Sequence, residues 1–410
     1  MRDFFLFLRR IAGIFALVFG GRQVWEARQE LKRLNTALWA SRIISDGVLL
    51  NEIPSPSEEE SLRMKFLFKR LGEFGISNVF TDEWGNVLAL FPAFGPRSDF
   101  VLLVAEVGDA NYTPLGNSVQ LSGESASGQG LGERSLGAAA LLVFAEFAQT
   151  TGFHLEKNLL ILFTRSSSVD EKEEAFRHFL TGWTDRISSA IVVHGTKMGV
   201  IETKQIGSYR LSVSVETEHQ KLPGPPAGPS ASAVLGAIAA QVGAITWAPS
   251  QTAFVNLARM QAGVGFGHWA THGELDIEIW AEDDSVLEAI KREVTETVEK
   301  AADGQKSKTE TLIRFRRSVG DSRRNEFLIN AQKASLVKIR VTPEMGMVSD
   351  KVSLLNEMGI PAIGVGITRR TANSKREEIE LAPIALGFRQ LLLVVEGAAA
   401  VAPIREEALA

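Results

Sequence analysis

Side chains able to do chemistry recur at the ends of apolar runs in this chain of 410 residues. Glu106 closes "DFVLLVAEVGD", and Glu133, Arg134 and Ser135 follow the glycines of "GQGLGERSLGAAALL". Arg165, Ser166, Ser167 and Ser168 end "KNLLILFTRSSS", and His194 ends "SSAIVVHGT". Carboxylates and imidazole are zinc donors, so Glu106, Glu133 and His194 form a candidate set for one ion. A serine hydroxyl beside a histidine that a carboxylate orients is the nucleophile of acyl transfer. Ser135 or one of Ser166–Ser168, with His194 as base and Glu106 as orienter, would meet that need. The plainer reading pairs both glutamates with Arg134 and Arg165 and leaves His194 as a structural residue behind a strand. Residue type alone leaves all three readings open.

The elements that must position these groups read as an α/β pattern. Glu26–Leu50 has helical spacing, and "NEIPSPSEEESLRMKFLFKRLGEFGI" is a Pro-Ser turn leading to a helix that stops at Gly75, with Ser57 as its cap. "NVFTDEWGNVLALF" reads as a hairpin turning at Trp84-Gly85-Asn86. Short buried strands then alternate with helices, which argues a sheet covered on both faces. The glycines at 128, 130 and 132, with the small residues at 135–140, open a long apolar helix. Such a turn lets backbone or ligand approach closely, and the helix N-terminus behind it favours negative charge. The acidic residues Asp170, Glu171, Glu173 and Glu174 read as the solvated start of a helix.

At Gly207 the texture changes to strict alternation in "GSYRLSVSVET". The Pro/Gly-rich loop "KLPGPPAGPS" leads to a helix, two strands, a helix and the strand "KTETLIRFRRSV", an α+β insert of domain size. From Phe327 the α/β pattern returns: a helix, the strand "KIRVTP", the helix "KVSLLNEMGI", the strand "PAIGVGI" and a last apolar helix. The expected organisation is an N-terminal extension over 1–35, an α/β domain over 36–206 and 321–400, and a smaller domain over 207–320.

Composition narrows the function. A net charge of −5 gives no support to nucleic-acid binding. The absence of cysteine excludes disulfides, thiolate nucleophiles and Cys-based zinc sites. The apolar stretch Phe4–Phe19 is broken by Arg9 and Arg10 and falls short of the roughly 20 residues of a membrane span. No Ala-x-Ala cleavage pattern follows it. It reads either as a helix packed on the body or a second subunit, or as an anchor at the membrane surface whose arginines reach the headgroups. The basic residues after it, Arg22, Arg28, Lys32 and Arg33, would leave the body cytoplasmic.

The order of parts resembles the di-zinc metallopeptidase family that contains tripeptide aminopeptidase, aminoacylase, glutamate carboxypeptidase and succinyl-diaminopimelate desuccinylase. The resemblance runs from about Leu38 to Gly397. It is carried by "IPSPSEEE", "TDEWGNVLA", "VLLVAEVGD", "GQGLGERSLGAAALL", "LLILFT", "IGSYRLSVSV" and "SDKVSLLNEMGIPAIGVGI…EEIELAP". It implies a zinc-peptidase-like α/β sandwich domain interrupted by a smaller α+β lid of the dimerisation type, hence a homodimer through the lid. It also implies two zinc ions held by two His and three carboxylates, with a separate Glu as general base.

Position by position, the implied site departs from that pattern. Glu106 stands at the first His ligand and Gly108 at the Asp that orients it. Glu133 stands at the bridging Asp and is followed by Arg134. Ser167 and Ser168 stand at the Glu-Glu pair of base and ligand, so the general-base position is Ser167. His194 stands at the next carboxylate ligand and Asn373 near the last His ligand. His219 lies near the lid histidine that reaches the partner's site, or is a surface-loop histidine. The expectation is a protein that has lost hydrolysis and binds a small molecule or peptide in a cleft lined by Glu106, Glu133, Arg134, Ser167, Ser168, His194 and Asn373, with no cofactor. The alternative is an active hydrolase with a rebuilt site: zinc on Glu106, Glu133 and His194, or a serine nucleophile.

Overall fold

The computed structural model describes residues 36–55, 61–93, 98–108, 118–153, 155–165, 174–220, 224, 228–246, 252–303, 305–319, 322–371 and 377–400. In chain order the first elements are α1 (Thr36–Glu52), α2 (Ser61–Glu73), β1 (Val79–Thr81), β2 (Val87–Phe91), β3 (Phe100–Val107), β4 (Gln120–Ser122) and β5 (Ser125–Ser127). Next come α3 (Leu136–Thr151), β6 (Asn158–Arg165), α4 (Glu174–Trp183), β7 (Ile187–His194) and β8 (Val200–Lys204). The insert holds β9 (Gly207–Thr217), α5 (Ala231–Val242), β10 (Ala253–Ala262), β11 (His272–Ala281), α6 (Asp284–Ala302) and β12 (Ser307–Arg317). The chain finishes with α7 (Glu326–Ile339), β13 (Glu344–Met347), α8 (Asp350–Glu357), β14 (Ala362–Gly366), β15 (Glu378–Glu380) and α9 (Ile384–Ala400).

The main sheet runs β1-β2-β6-β3-β7-β14. Strands β6, β3, β7 and β14 are parallel, while the β1–β2 hairpin adds antiparallel at one edge. The apolar runs are near-continuous because both faces are covered. Leu103, Ala105, Ile161, Phe163, Ile191 and Val193 pack toward α1, α2, α3, α7 and α9. Their neighbours Leu102, Val104, Leu160, Leu162 and Val192 pack toward Phe176 and Phe179 of α4 and Val352 and Leu355 of α8. Helix α3 is apolar on every side and is buried almost throughout, as its place between the sheet and α1 requires.

The insert interrupts this domain as a smaller α+β unit. Its antiparallel sheet, β10-β11-β9-β12, has a core of its own. Period-two alternation turns Leu211, Val213 and Val215 of β9 and Leu275, Ile277 and Ile279 of β11 onto α5 and α6. Helix α6 is capped by Asp283, which accepts from the amides of Ser285 and Val286.

"KIRVTP" differs from expectation. Lys338 and Ile339 belong to the last turn of α7, which ends with Arg340 left-handed at φ 58°. The strand there is β13, later in the chain, pairing parallel with β8. Leu336 and Ile339 are buried at a three-residue spacing, so the helical period overrode the β-branched run. No described helix is long and apolar enough to cross a membrane. Phe4–Phe19 and Ser57 lie outside the described residues.

Candidate functional site

The parallel strands end at one edge of the sheet, and in open α/β folds ligands bind outside the carboxyl ends of the strands. Glu106 comes there from β3, Arg165 from β6 and His194 from β7. The glycine turn joins them. Residues Leu131–Ser135 form a wide π-type turn that opens into α3, with Gly130 left-handed at φ 70°. The turn lies so close to the end of β7 that a Cβ on Gly195 would stand 1.9 Å from the carbonyl oxygen of Gly132. Glycine is needed there for contact, as the small-residue turn implied.

Each candidate is engaged by a different partner. Glu106 is ion-paired with Arg134, and Lys351 of α8 brings its Nζ to 3.7 Å of the same carboxylate oxygen. Lys351 is buried and its Nζ lies 5.2 Å from the centre of the Phe176 ring. Glu133 is exposed and faces Arg370, with Nη1 at 3.8 Å. His194 sets Nε2 3.3 Å from Oε1 of Glu202, a carboxylate whose side chain is 1% exposed. Lys197 reaches the same oxygen at 2.9 Å, and Ser349 donates its amide and its hydroxyl to the other oxygen at 3.2 and 3.1 Å. Burial alone would raise the Glu202 carboxyl; the charge of His194 and the charge and hydrogen bond of Lys197 overcome it and hold the group at about 2. Arg165 donates Nη1 to the carbonyl of Trp84 at 3.5 Å, and its amide bonds the buried Asn86 at 3.1 Å.

The mouth of the helix is filled from within the chain. The carboxylate of Glu377 accepts from the amide of Gly130 at 2.8 Å and from that of Glu133 at 2.7 Å. It takes the place an anion would occupy at such a turn. Burial, and then the nearby Glu133, push the Glu377 carboxyl above the usual range.

Ser135 differs from the expectation of a cleft serine. It is buried, donating to Oδ1 of Asn51 at 2.8 Å and accepting from Nη1 of Arg63 at 3.4 Å. Arg63, 1% exposed, also donates to the carbonyls of Ile53 and Asn51. Nor does Glu106 orient His194: that partner is Glu202. Among the described residues no three His, Cys, Asp or Glu side chains gather so as to hold a metal ion. His219 is exposed beyond the end of β9. Ser166, Ser167, Ser168 and Asn373 lie outside the described residues.

Sequence reading missed Lys351, Glu202 and Glu377. The last stands in "EEIELAP", one of the stretches that carried the resemblance, so its position was marked although its role was not. Nothing in the local pattern set the other two apart from ordinary helix-start and strand residues.

This fold is the two-domain fold of the M20 metallopeptidases. A tripeptidase from Staphylococcus aureus superposes with a TM-score of 0.69 at 15% identity, over 88% of this chain and 99% of that one. A dinuclear metal binding peptidase of the M20 family from Bacillus subtilis gives 0.62 at 15% identity, over 90% of this chain and 100% of that one. Human carnosine dipeptidase 1 gives 0.65 at 11% identity, over 91% and 100%. By sequence, no family model and no curated protein matches the chain.

Proposed function

We propose that this is a metallopeptidase-fold protein that no longer hydrolyses peptides and acts by binding a small molecule or peptide at the carboxyl edge of its main sheet. The observation that carries the reading is the convergence of Arg134 and Lys351 on Glu106. Glu106 stands where the resemblance puts the first metal ligand, and two cations of the chain itself face it. The residues present do not fit a dinuclear zinc centre. A fixed guanidinium and a buried ammonium would repel metal ions brought to that carboxylate. Glu133 and His194, the other two donors, are held by Arg370 and Glu202 instead. Without metal ions or a general base, neither the attacking water nor the oxyanion of peptide hydrolysis has its stabilising groups.

The test is metal stoichiometry by mass spectrometry on full-length protein purified without chelator and dialysed against micromolar zinc, alongside di- and tripeptide hydrolysis. Metal far below one ion per chain, with no hydrolysis above buffer, is the expected result. Two tightly held zincs per chain overturn the reading. One zinc lost on Glu133→Gln or His194→Ala, with hydrolysis lost in step, establishes the rebuilt mononuclear hydrolase in its place.

A further inference from the structure

Three successive residues at the start of α8 reach three parts of the molecule. Ser349 binds Glu202 through both its amide and its hydroxyl, and so joins the cluster that holds His194 and Lys197. Asp350 accepts from Nη1 of Arg317, the last residue of β12, at 2.9 Å. Lys351 turns inward to Glu106 and so to Arg134. One tripeptide thus touches the cluster at the end of β7, the cluster at the end of β3 and the strand by which the chain leaves the insert.

Two further features make these contacts more than neighbours on a surface. Ser349 is the residue that precedes the helix with extended backbone, the place where a serine side chain normally caps the first turn. It makes no such cap; its hydroxyl is given to Glu202. Backbone also crowds this carboxylate: a Cβ on Gly364 would lie 2.5 Å from Glu202 Oε2, the oxygen that Ser349 bonds, and 2.7 Å from His194 Nε2. The other end of α8 is also tied toward the insert. Asn356 donates to Gln205 at 3.4 Å, and Gln205 donates to the carbonyl of Ser318 at 3.2 Å.

We propose that Ser349–Asp350–Lys351 is a metal-free pivot that cross-links the strand ends of the main sheet and couples them to the position of the insert. A metal centre cross-links strand ends by drawing several ligands onto one cation. Here the ammonium of Lys351 and the guanidinium of Arg134 draw on Glu106, and Glu202 gathers its donors in the same manner. Because Asp350 lies between the two anchoring residues, a displacement of β12 moves both clusters, and a disturbance of either cluster is felt at β12. The proposal rests on the metal-free reading of the site and adds a mechanical role to it. Ser349, Asp350 and Lys351 are positioning residues.

Hydrogen exchange on the full-length chain, followed by mass spectrometry, tests it. Lys351→Met should speed exchange at least about tenfold in α8 and also in β8 and the last residues of β12, since it removes one partner of a largely buried ion pair. Asp350→Asn, whose side chain is 64% exposed, leaves the fold intact. It should still raise exchange in β8 and in the end of β12. Lys351→Arg, which keeps the charge, should recover part of the protection and serves if Lys351→Met does not fold. Changes confined to the first turn of α8 in Asp350→Asn and in either Lys351 variant overturn the pivot while leaving the functional reading untouched. EDTA should leave the wild-type profile unchanged. A rise in exchange at the ends of β3 and β7 on adding EDTA would mean that a metal holds those strands, and both readings would fall.

Discussion

Glu202 offers a sharp perturbation, because its carboxylate is 1% exposed and three donors converge on it, Lys197 and the amide and hydroxyl of Ser349, with His194 Nε2 3.3 Å away. Glu202→Gln keeps the shape but removes the charge and sets an amide N–H₂ against donors. Holding the carboxyl at about 2 against an ordinary 4.5 corresponds to about 3 kcal/mol in favour of the ionised form. Breaking a buried ion pair gives a cost of the same size. The sign follows from the depressed value. This stabilisation is complete above pH 4.5, the ordinary value, and is lost as pH falls through about 2. Urea denaturation of wild type and Glu202→Gln at pH 7 and pH 3 measures both quantities. The variant should be about 3 kcal/mol less stable at pH 7, and the gap should narrow by about 2 kcal/mol at pH 3. Other carboxylates titrate in both proteins and cancel in the difference. A gap below about 0.5 kcal/mol at pH 7, or one unchanged at pH 3, would refute the claim that this charge organises the edge of the sheet.

Substitutions at three other positions have expected outcomes. Gly195→Ala places a methyl 1.9 Å from the Gly132 carbonyl and should lower stability by about 1–3 kcal/mol or more, read by thermal unfolding. Arg63→Met should cost about 3 kcal/mol, since its guanidinium serves two carbonyls and Ser135 from a fully buried position. Arg63→Lys should recover little of that loss, because a single ammonium cannot span those acceptors. At the tip of the β10–β11 hairpin, Phe266→Asp should leave stability within about 0.5 kcal/mol of wild type, because Phe266 is fully exposed.

Much of the architecture was legible in the sequence because it depends on local periodicity. The apolar runs ending at Glu106, Arg165 and His194 are β3, β6 and β7. The change to period-two alternation at Gly207 is the first residue of β9, and the glycine turn lies in close contact with the end of β7. Where several periods competed, the local reading failed: in "KIRVTP" the β-branched residues suggested a strand, and burial of Leu336 and Ile339 on one face made Lys338 and Ile339 helix.

The chemistry of the site divides in the same way. That Glu106, Glu133 and His194 stand at strand and turn ends follows from the order of residues. Which group faces each of them does not. Lys351 reads as an ordinary helix-start lysine, Glu202 as a residue of a short polar strand, and Glu377 as part of a charged run. Only when α8 packs against the sheet does Lys351 meet Glu106. Only the approach of Ser349 to Glu202 completes the second cluster, and the return of residues 377–380 beside β5 brings Glu377 to the helix mouth. The residue types and their places along each strand were determined by the sequence, because backbone periodicity is a short-range property. The partners were decided by the tertiary structure, because ion pairing depends on distance in space between segments far apart in the chain.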